Sequence, residues 1–333
     1  MRRIDRRENI GREEALLKTH DLSYQPASLA SEDAEELLAT HGKTFHFAAR
    51  FFPAKYRQAV VSLYAFFRTL DDRVDERGPN WNASEVRQEL ENWQAWLRTD
   101  WSSPAPREPL GTALAALLRE CQLPVILFLD FLDGLLSDLD PQEFQYVHEL
   151  DRYCYRVAGT VGLAMAHVLG GRSEQALTAA RDLGIAMQLT NILRDVGRDL
   201  AAGRIYLSHD ELARFGFSGP RLLQLSQEQQ GPDEHFRKLM CFQIQRARHF
   251  YRKGLSGVWL LAPECRPPIL LAGRLYQRIL TEIERRQYDV LRGRAATSLL
   301  TKVREAAVVL LLDLLWRGGE VPGDPGMEVL YED

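Results

Sequence analysis

The chain has 333 residues, of which 45% are hydrophobic and 26% are charged, an ordinary balance for a globular protein. Its formal net charge of −4 provides no basic surplus for binding nucleic acid. The four cysteines are scattered without a CxxC pair, so we expect reduced core cysteines in a cytoplasmic protein rather than a zinc site. The opening residues are charged throughout, which disfavours a secretory signal peptide.

Helical periodicity dominates the chain between two polar ends. Residues 1–30 and 318–333 lack a regular apolar pattern, so we expect disordered tails on either side of a single domain at 31–317. Apolar residues recur at i, i+3, i+4 and i+7 in several long segments, which predicts helices at 55–76, 83–99, 146–169, 173–200, 233–256 and 268–291. No convincing alternating run predicts a strand, and the expected fold class is therefore all-α.

The first acidic segment runs from Tyr64 to Glu76, at the end of a strongly apolar helix. Residues four apart share one face of a helix, so Asp71 and Asp75 point the same way, with Arg68 one turn before Asp71. A single acidic pair of this kind is usually a solvated surface feature. The apolar residues that precede it favour burial, where carboxylates must be paired or must bind a cation.

The second acidic segment lies late in the 173–200 helix. Asn191, Asp195 and Asp199 form a row at i, i+4 and i+8, with Gln188 one turn before the row. Magnesium prefers oxygen ligands and is usually held by one or two carboxylates together with substrate phosphates. The two rows therefore predict a cation cluster that bridges the protein to a diphosphate, whose oxygens suit neighbouring arginines such as Arg194. Salt bridges between these arginines and the carboxylates remain an alternative.

These segments resemble motifs of the phytoene and squalene synthase family. Residues 64–75 are similar to the first aspartate-rich motif of that family, and residues 188–207, QLTNILRDVGRDLAAGRIYL, are similar to its second. Residues 152–162, RYCYRVAGTVG, resemble its tyrosine-containing helix. HGKTF at 41–45 and GRLYQRIL at 273–280 resemble two further segments, and all five occur in the family order.

The resemblance implies a single-domain isoprenoid synthase helical bundle with a central cavity as the catalytic domain. It also implies head-to-head coupling of two allylic isoprenoid diphosphates through a cyclopropylcarbinyl diphosphate. The form of the second motif favours phytoene, made from two C20 diphosphates in carotenoid biosynthesis without NADPH. Coupling of C15 diphosphates to squalene, dehydrosqualene or presqualene diphosphate stays an alternative. Two intact motifs disfavour a terpene cyclase of the same fold and an inactive, lipid-binding homologue.

The same resemblance assigns roles to individual residues. The ligands of Mg²⁺, or of Mn²⁺ in its place, would be Asp71, Asp75, Asn191, Asp195 and Asp199. The residues that bind the substrate would be His41, Lys43, Thr44, Phe45, Tyr64, Arg68, Gln188, Arg194, Arg204 and Tyr276. Tyr153 would lie near the allylic cation and take part in catalysis with the four aspartates. As an alternative, Arg204 could form a salt bridge with Asp199 at the end of the same helix.

Two further patterns leave their interpretation open. Gly159 and Gly162, with Ala158 and Ala166, could leave room for a long prenyl chain or could allow tight packing between helices. Residues 306–316, AAVVLLLDLLW, are too short for a membrane span, which needs about 20 apolar residues. They predict either a buried core helix or a helix in peripheral contact with a membrane. The sequence does not determine the oligomeric state.

Overall fold

The computed structural model describes residues 43–75, 81–140, 143–227 and 231–317, without the side chains of Lys43 and residues 315–317. Within these ranges the regular elements are helices. The β-type pairing found there is one isolated parallel bridge, between Glu143 and Ile205. The predicted all-α class is therefore confirmed. All four cysteines are unpaired, and three are buried as expected: Cys121, Cys154 and Cys265. Both predicted tails lie outside the described residues.

The α-helices, numbered in chain order, are α1 Lys43–Ala49, α2 Ala54–Asp75, α3 Ala83–Leu97, α4 Leu110–Glu120, α5 Val125–Ser137, α6 Val147–Cys154, α7 Thr160–Val168, α8 Glu174–Ala201, α9 His209–Arg214, α10 Gly219–Gln227, α11 Glu234–Ser256, α12 Arg266–Arg285 and α13 Leu299–Arg317. A π-helical turn, Tyr155–Gly159, joins α6 to α7. Short 3-10 turns precede α12 at Val258–Leu260 and Pro263–Cys265.

The predicted helices agree with these bounds to within a few residues, with one exception. The segment predicted at 268–291 ends as a helix at Arg285. Gln287 and Tyr288 then adopt left-handed φ angles of 55° and 64°, which a right-handed helix cannot accommodate. The chain consequently leaves the helix and runs as an irregular segment, 286–298, to the start of α13.

Two hydrophobic cores hold the two acidic helices. Helix α2 packs with α3 to α5 around aromatic side chains, among them Phe67 and Phe131, whose ring centroids are 4.7 Å apart. Helix α8 packs against α7, α11 and α12, and its Leu189 lies in the second core with Tyr251 and Leu275. Each acidic row therefore lies on a helix whose orientation is fixed by a separate set of apolar contacts.

The small residues of the 158–166 segment pack against α8. A Cβ added at Gly162 would meet the carbonyl oxygen of Ala180 at 2.2 Å, and one added at Gly184 would meet the carbonyl oxygen of Ala158 at 2.3 Å. Such a distance excludes any side chain larger than hydrogen without a shift of the backbone. The hypothesis that Gly162 leaves room for a prenyl chain is therefore wrong, because α8 occupies that space.

Helix α13 has one buried and one exposed face. Glu305 is buried and accepts hydrogen bonds from Arg274 Nε and Arg278 Nε of α12, both at 2.8 Å. On the opposite face Leu311 and Leu314 are 58% and 69% exposed, so the interpretation as a fully buried core helix is wrong for this face. No helix in the described part of the chain is long and apolar enough to cross a membrane.

Candidate active site

The first acidic row occupies the last two turns of α2. Arg68 Nη1 donates to Asp71 Oδ2 at 2.9 Å, and the same guanidinium also pairs with Asp72. Burial, together with the charge of Asp75, raises the pKa of Asp71 to about 7. Arg68 Nε is buried without a hydrogen-bond partner. In this row, two carboxylates therefore share one guanidinium group, which keeps one unpaired N–H donor.

Arg204 connects the two rows. It follows the end of α8, and its Nη1 donates to Asp75 Oδ1 of α2 at 2.9 Å, rather than forming the salt bridge with Asp199 that the sequence left open. Burial and the charge of Asp195 raise the pKa of Asp199 to about 7, and the charge of Asp75 contributes in the same direction. Carboxylates from both helices therefore lie close enough to repel one another.

The second row is neutralised in its centre by arginines. Arg194 Nε and Nη2 donate to the two carboxylate oxygens of Asp195 at 3.0 and 2.8 Å. Arg294 Nε and Nη2 donate to the same oxygens at 2.6 and 2.7 Å. Burial alone would raise the pKa of Asp195, but these hydrogen bonds outweigh it and hold the pKa below its ordinary value. One turn earlier, Asn191 Nδ2 donates to Gln188 Oε1 at 3.3 Å.

Sequence reasoning did not find Arg294, which lies in the irregular 286–298 segment. This segment lies directly on α8, because a Cβ added at Gly197 would meet the carbonyl oxygens of Leu291 and Val290 at 2.6 and 2.7 Å. The close approach brings Arg294 onto Asp195. The sequence signal for this contact was Gly197, which lies between Asp195 and Asp199. Glycine is often found where another segment of backbone approaches closely.

Aromatic side chains from three helices lie beside the rows. Phe45 of α1 stacks on Tyr64 of α2, with ring centroids 5.3 Å apart and an interplanar angle of 12°. Tyr276 of α12 is near enough to affect the pKa values of both Tyr64 and Arg194. Burial raises the pKa of Tyr64, which stays a neutral phenol. The structure therefore brings these predicted substrate-binding residues together.

Residues at the start of α1 belong to the predicted diphosphate site. Thr44 is half-buried at the beginning of this helix, whereas Lys43 is described by its backbone alone. His41 lies outside the described residues. Its predicted contact with phosphate stays a prediction.

Tyr153 lies in a buried polar cluster that the sequence did not indicate. Its hydroxyl donates to Asp138 Oδ2 at 2.8 Å, and the hydroxyl of Tyr206 donates to Asp138 Oδ1 at 3.2 Å. Burial raises the pKa of Asp138 to about 6, although the hydrogen bond from Tyr153 opposes the rise. Asp138 and Tyr206 follow the ends of α5 and α8, where no helical periodicity could link them.

The residues present fit a divalent cation that enters together with a diphosphate. Within the described ranges, no three His, Cys, Asp or Glu side chains form a group that could hold a metal ion alone. Asp75 and Asp195 are paired with arginines. Magnesium commonly takes only one or two carboxylates and completes its shell with phosphate oxygens and water. Burial, followed by the charge of a neighbouring carboxylate, raises the pKa values of Asp71 and Asp199, and a nearby cation would favour the deprotonated form of both.

Known proteins that resemble this chain identify its family. Its sequence matches the squalene/phytoene synthase family over residues 38–301. The chain belongs to this family. A phytoene synthase of Arthrospira platensis is 39% identical over 277 residues, covering 79% of this chain and 87% of the relative. A 15-cis-phytoene synthase of Synechocystis is 36% identical over 278 residues, covering 80% of each chain.

Solved structures of the squalene/phytoene synthase family share the fold. A dehydrosqualene synthase in complex with a ligand superposes with a TM-score of 0.75 at 26% identity, covering 86% of this chain and 97% of that one. The squalene synthase HpnC from Alicyclobacillus acidocaldarius superposes with a TM-score of 0.65 at 24% identity, covering 78% and 94%, which supports the fold alone. The family, the helical isoprenoid synthase fold and the prenyl transferase class predicted from the motifs are confirmed.

Proposed function

We propose that this enzyme couples two geranylgeranyl diphosphates head to head and forms phytoene in carotenoid biosynthesis. The proposal is carried by one observation: two oxygen-rich rows, on α2 and α8, are joined through Arg204 and Asp75 beside a group of aromatic side chains. Relatives named phytoene synthase, from cyanobacteria, plants and Rhodobacter, are 34–39% identical to the chain over most of its length. Their names support the C20 substrate.

Mg²⁺, with Mn²⁺ as an alternative, would be held by the residues of the two rows, Asp71, Asp75, Asn191, Asp195 and Asp199. A bound divalent cation would neutralise diphosphate oxygens and so favour departure of the diphosphate. Around the rows, Arg68 Nε is an unpaired donor. Arg194 and Arg294 each donate two hydrogen bonds to the oxygens of one carboxylate, and two oxygens of a diphosphate could accept from the same pairs of donors. Gln188, Arg204 and the α1 residues Lys43 and Thr44 would complete the diphosphate site.

The aromatic side chains would face the carbon that becomes cationic. Loss of one diphosphate leaves an allylic cation, which bonds to the double bond of the second substrate and loses a proton to give the cyclopropylcarbinyl diphosphate. Departure of the second diphosphate, rearrangement and loss of another proton give phytoene, so the reaction needs no reductant. Ring faces stabilise a nearby cation and exclude water, a role that suits Tyr64, stacked on Phe45, together with Tyr276 and Tyr153.

A second candidate is coupling of C15 diphosphates. It is favoured by the structural likeness to a dehydrosqualene synthase, whose chain is covered to 97%. The reaction would use the same rows and arginines and would end in dehydrosqualene, presqualene diphosphate or, with NADPH, squalene. The two candidates differ only in the length of the prenyl chain and in the final step.

Product analysis separates the candidates. The purified enzyme is given C15 or C20 diphosphate with Mg²⁺, each with and without NADPH, and the hydrocarbons are identified by mass and chromatography. We expect phytoene from the C20 substrate, with no dependence on NADPH. A clear preference for the C15 substrate in kcat/KM, or a product that requires NADPH, would contradict the phytoene assignment and leave the coupling reaction in place.

We also propose that the exposed face of α13 rests on a lipid bilayer. Leu300, Leu311 and Leu314 lie on this face and are 78%, 58% and 69% exposed, and Arg304 beside them is basic. An insoluble hydrocarbon product is released more favourably into lipid than into water.

Liposome flotation tests the bilayer contact with anionic vesicles. The wild-type protein is expected to float with the vesicles, and L311D/L314D is expected to stay in the soluble fraction. A matched control, L223D/L260D, replaces leucines that are 40% and 43% exposed elsewhere and should float like the wild type. Flotation of the folded L311D/L314D variant at the wild-type level would contradict the contact.

A further inference from the structure

A buried carboxylate and two tyrosines form a group that the reaction described above does not use as a unit. We name Asp138, Tyr153 and Tyr206 the Asp138 cluster. Asp138 is 8% exposed, Tyr153 is 6% exposed and Tyr206 is 9% exposed. Both phenolic hydroxyls donate to the carboxylate, at 2.8 and 3.2 Å, and the two rings stack with centroids 5.3 Å apart. The hydrogen bonds from the two hydroxyls favour the charged form of this buried carboxylate, although burial opposes it.

The Asp138 cluster lies beside the acidic rows without belonging to them. Tyr206 follows Arg204 by two residues, and Arg204 donates to Asp75 of the first row. The negative charge of Asp75 raises the pKa of Asp138, and that of Asp138 raises the pKa of Asp71. Asp138 is therefore near the first row, while its carboxylate oxygens accept from the two tyrosines.

Local backbone contacts hold Tyr206 in place. The parallel bridge between Glu143 and Ile205 and the hydrogen bond from His209 N to Phe144 O, at 2.8 Å, align this segment with the start of α6. The ring of Phe144 packs against both tyrosines, at 5.5 and 6.4 Å between centroids. The tyrosines are therefore fixed both by packing and by their common acceptor.

Hydrogen bonding to a carboxylate changes what a tyrosine offers to a cation. The hydroxyl proton is turned toward Asp138, so the positive end of each O–H bond cannot point at the developing cation. The negative charge of the acceptor increases the electron density of the phenol, and in a water-poor environment it acts over a longer distance than in solution. Preoriented dipoles of this kind stabilise a charge that develops during the reaction without reorganising.

We propose that Asp138 is a positioning residue for the coupling reaction: through Tyr153 and Tyr206 it orients and polarises the aromatic surface that faces the allylic cation, and it does not ligate the metal. The proposal rests on the proposed function for the identity of the cation. According to the proposal, Tyr153 and Tyr206 affect the rate jointly, because both donate to Asp138.

The first test is D138N, which keeps the shape of the side chain and removes its charge. We expect kcat for diphosphate release to fall by about 10- to 100-fold. The KM for the diphosphate and the Mg²⁺ concentration at half-maximal rate should stay within about twofold of the wild-type values, because the proposal gives Asp138 no contact with either ligand. A shift of the Mg²⁺ half-saturation instead of kcat would overturn the proposal in favour of a metal-binding role, and an unchanged kcat would overturn it directly.

A double-mutant cycle tests whether Asp138 acts through the tyrosines. In the Y153F background, D138N should lower kcat by much less than it does in the wild type, whereas full additivity would overturn the proposal. If D138N does not fold, a double-mutant cycle of Y153F and Y206F is measured instead. Their effects on kcat should then be less than additive, since both act through one acceptor, and additive effects would overturn the proposal.

The control is E211Q, at another buried carboxylate, which accepts hydrogen bonds from Ser208, Gln243 and Arg246. It should lower the thermal stability and leave kcat unchanged; an equal fall in kcat would overturn the proposal in favour of a structural role. The assay uses whichever diphosphate the wild-type enzyme consumes, so failure of the phytoene assignment does not affect it. If the wild type releases no diphosphate, the proposed function and this proposal fall together.

Discussion

The two acidic rows share their helical spacing but differ in electrostatic state. In the α2 row, Arg68 pairs with both Asp71 and Asp72, and burial raises the pKa of Asp71 to about 7. In the α8 row, Asp195 accepts from both Arg194 and Arg294, and its pKa lies below the ordinary value. The same i, i+4 arrangement of carboxylates therefore carries different charge, because the arginines that reach each row come from different parts of the chain.

This difference predicts different tasks for the two rows. In the α2 row the carboxylates of Asp71 and Asp72 share the single guanidinium of Arg68, so this row should respond mainly to the cation. The centre of the α8 row is already occupied by two guanidinium groups, which a diphosphate can share with Asp195. We therefore expect loss of a carboxylate in the α2 row to affect the Mg²⁺ requirement most, and disturbance around Asp195 to affect diphosphate binding most.

The largest effect should come from removing one carboxylate from either row. We expect D71A and D195A each to lose about a thousandfold in turnover, because metal-assisted stabilisation of the leaving diphosphate contributes several kcal/mol. D71A should also raise the Mg²⁺ concentration at half-maximal rate, whereas D195A should change the KM for the diphosphate, because it removes the acceptor that Arg194 and Arg294 share. Steady-state kinetics over a range of Mg²⁺ concentrations measures both effects.

A matched control for this pair is D140A, which removes an exposed carboxylate that pairs with Arg87 and belongs to neither row. It should keep the wild-type turnover. Near-normal activity of both D71A and D195A at saturating Mg²⁺, with the fold intact by circular dichroism, would show that the rows do not hold the metal.

A smaller effect is expected from G197A, which disturbs the α8 row without touching a charge. The added methyl group would lie 2.6 Å from the carbonyl oxygen of Leu291, so the 286–298 segment must move and carry Arg294 away from Asp195. Overpacking of this kind costs about 1–3 kcal/mol in the free energy of unfolding. We expect a loss of this size in urea unfolding and an increase in the KM for the diphosphate.

Gly293 offers the control on the same segment. A Cβ at this position meets no atom within 4 Å, so G293A should leave both the free energy of unfolding and the KM near their wild-type values. Equal behaviour of G197A and G293A would contradict the role given to the close contact between the segment and α8.

The smallest effect concerns pH. Asp71 and Asp199 have pKa values raised from 3.8 to about 7 in the folded enzyme, so the folded state binds protons more tightly than the unfolded chain. Their contribution to the stability of the metal-free enzyme is therefore present at low pH and is lost as the pH rises through about 7. A bound cation favours the deprotonated carboxylates, and the increase in Tm caused by Mg²⁺ with inorganic diphosphate should grow from about pH 6 to about pH 8.

Differential scanning fluorimetry at several pH values measures this trend. D71N, which cannot titrate, should show a weaker dependence of the Mg²⁺-induced Tm increase on pH than the wild type. A Tm increase that is constant with pH, or that falls as the pH rises, would contradict the raised pKa values.

What the sequence determined was local and periodic. Helical spacing alone placed Asp71 and Asp75 on one face of α2, and Asn191, Asp195 and Asp199 on one face of α8. The bounds of the long helices followed from the same periodicity, because side chains three and four residues apart must share a face whatever the rest of the chain does. Motif order added the family, which the comparisons confirmed.

What only the tertiary structure decided was which distant groups meet. Arg204 pairs with Asp75 across 129 positions, Arg294 with Asp195 across 99, and Tyr206 with Asp138 across 68. None of these pairs has a periodic signature, because each includes a residue in a turn or an irregular segment that is placed by the packing of whole helices. Burial and neighbouring charge set the pKa values of the two rows, and both depend on those contacts rather than on spacing along the chain.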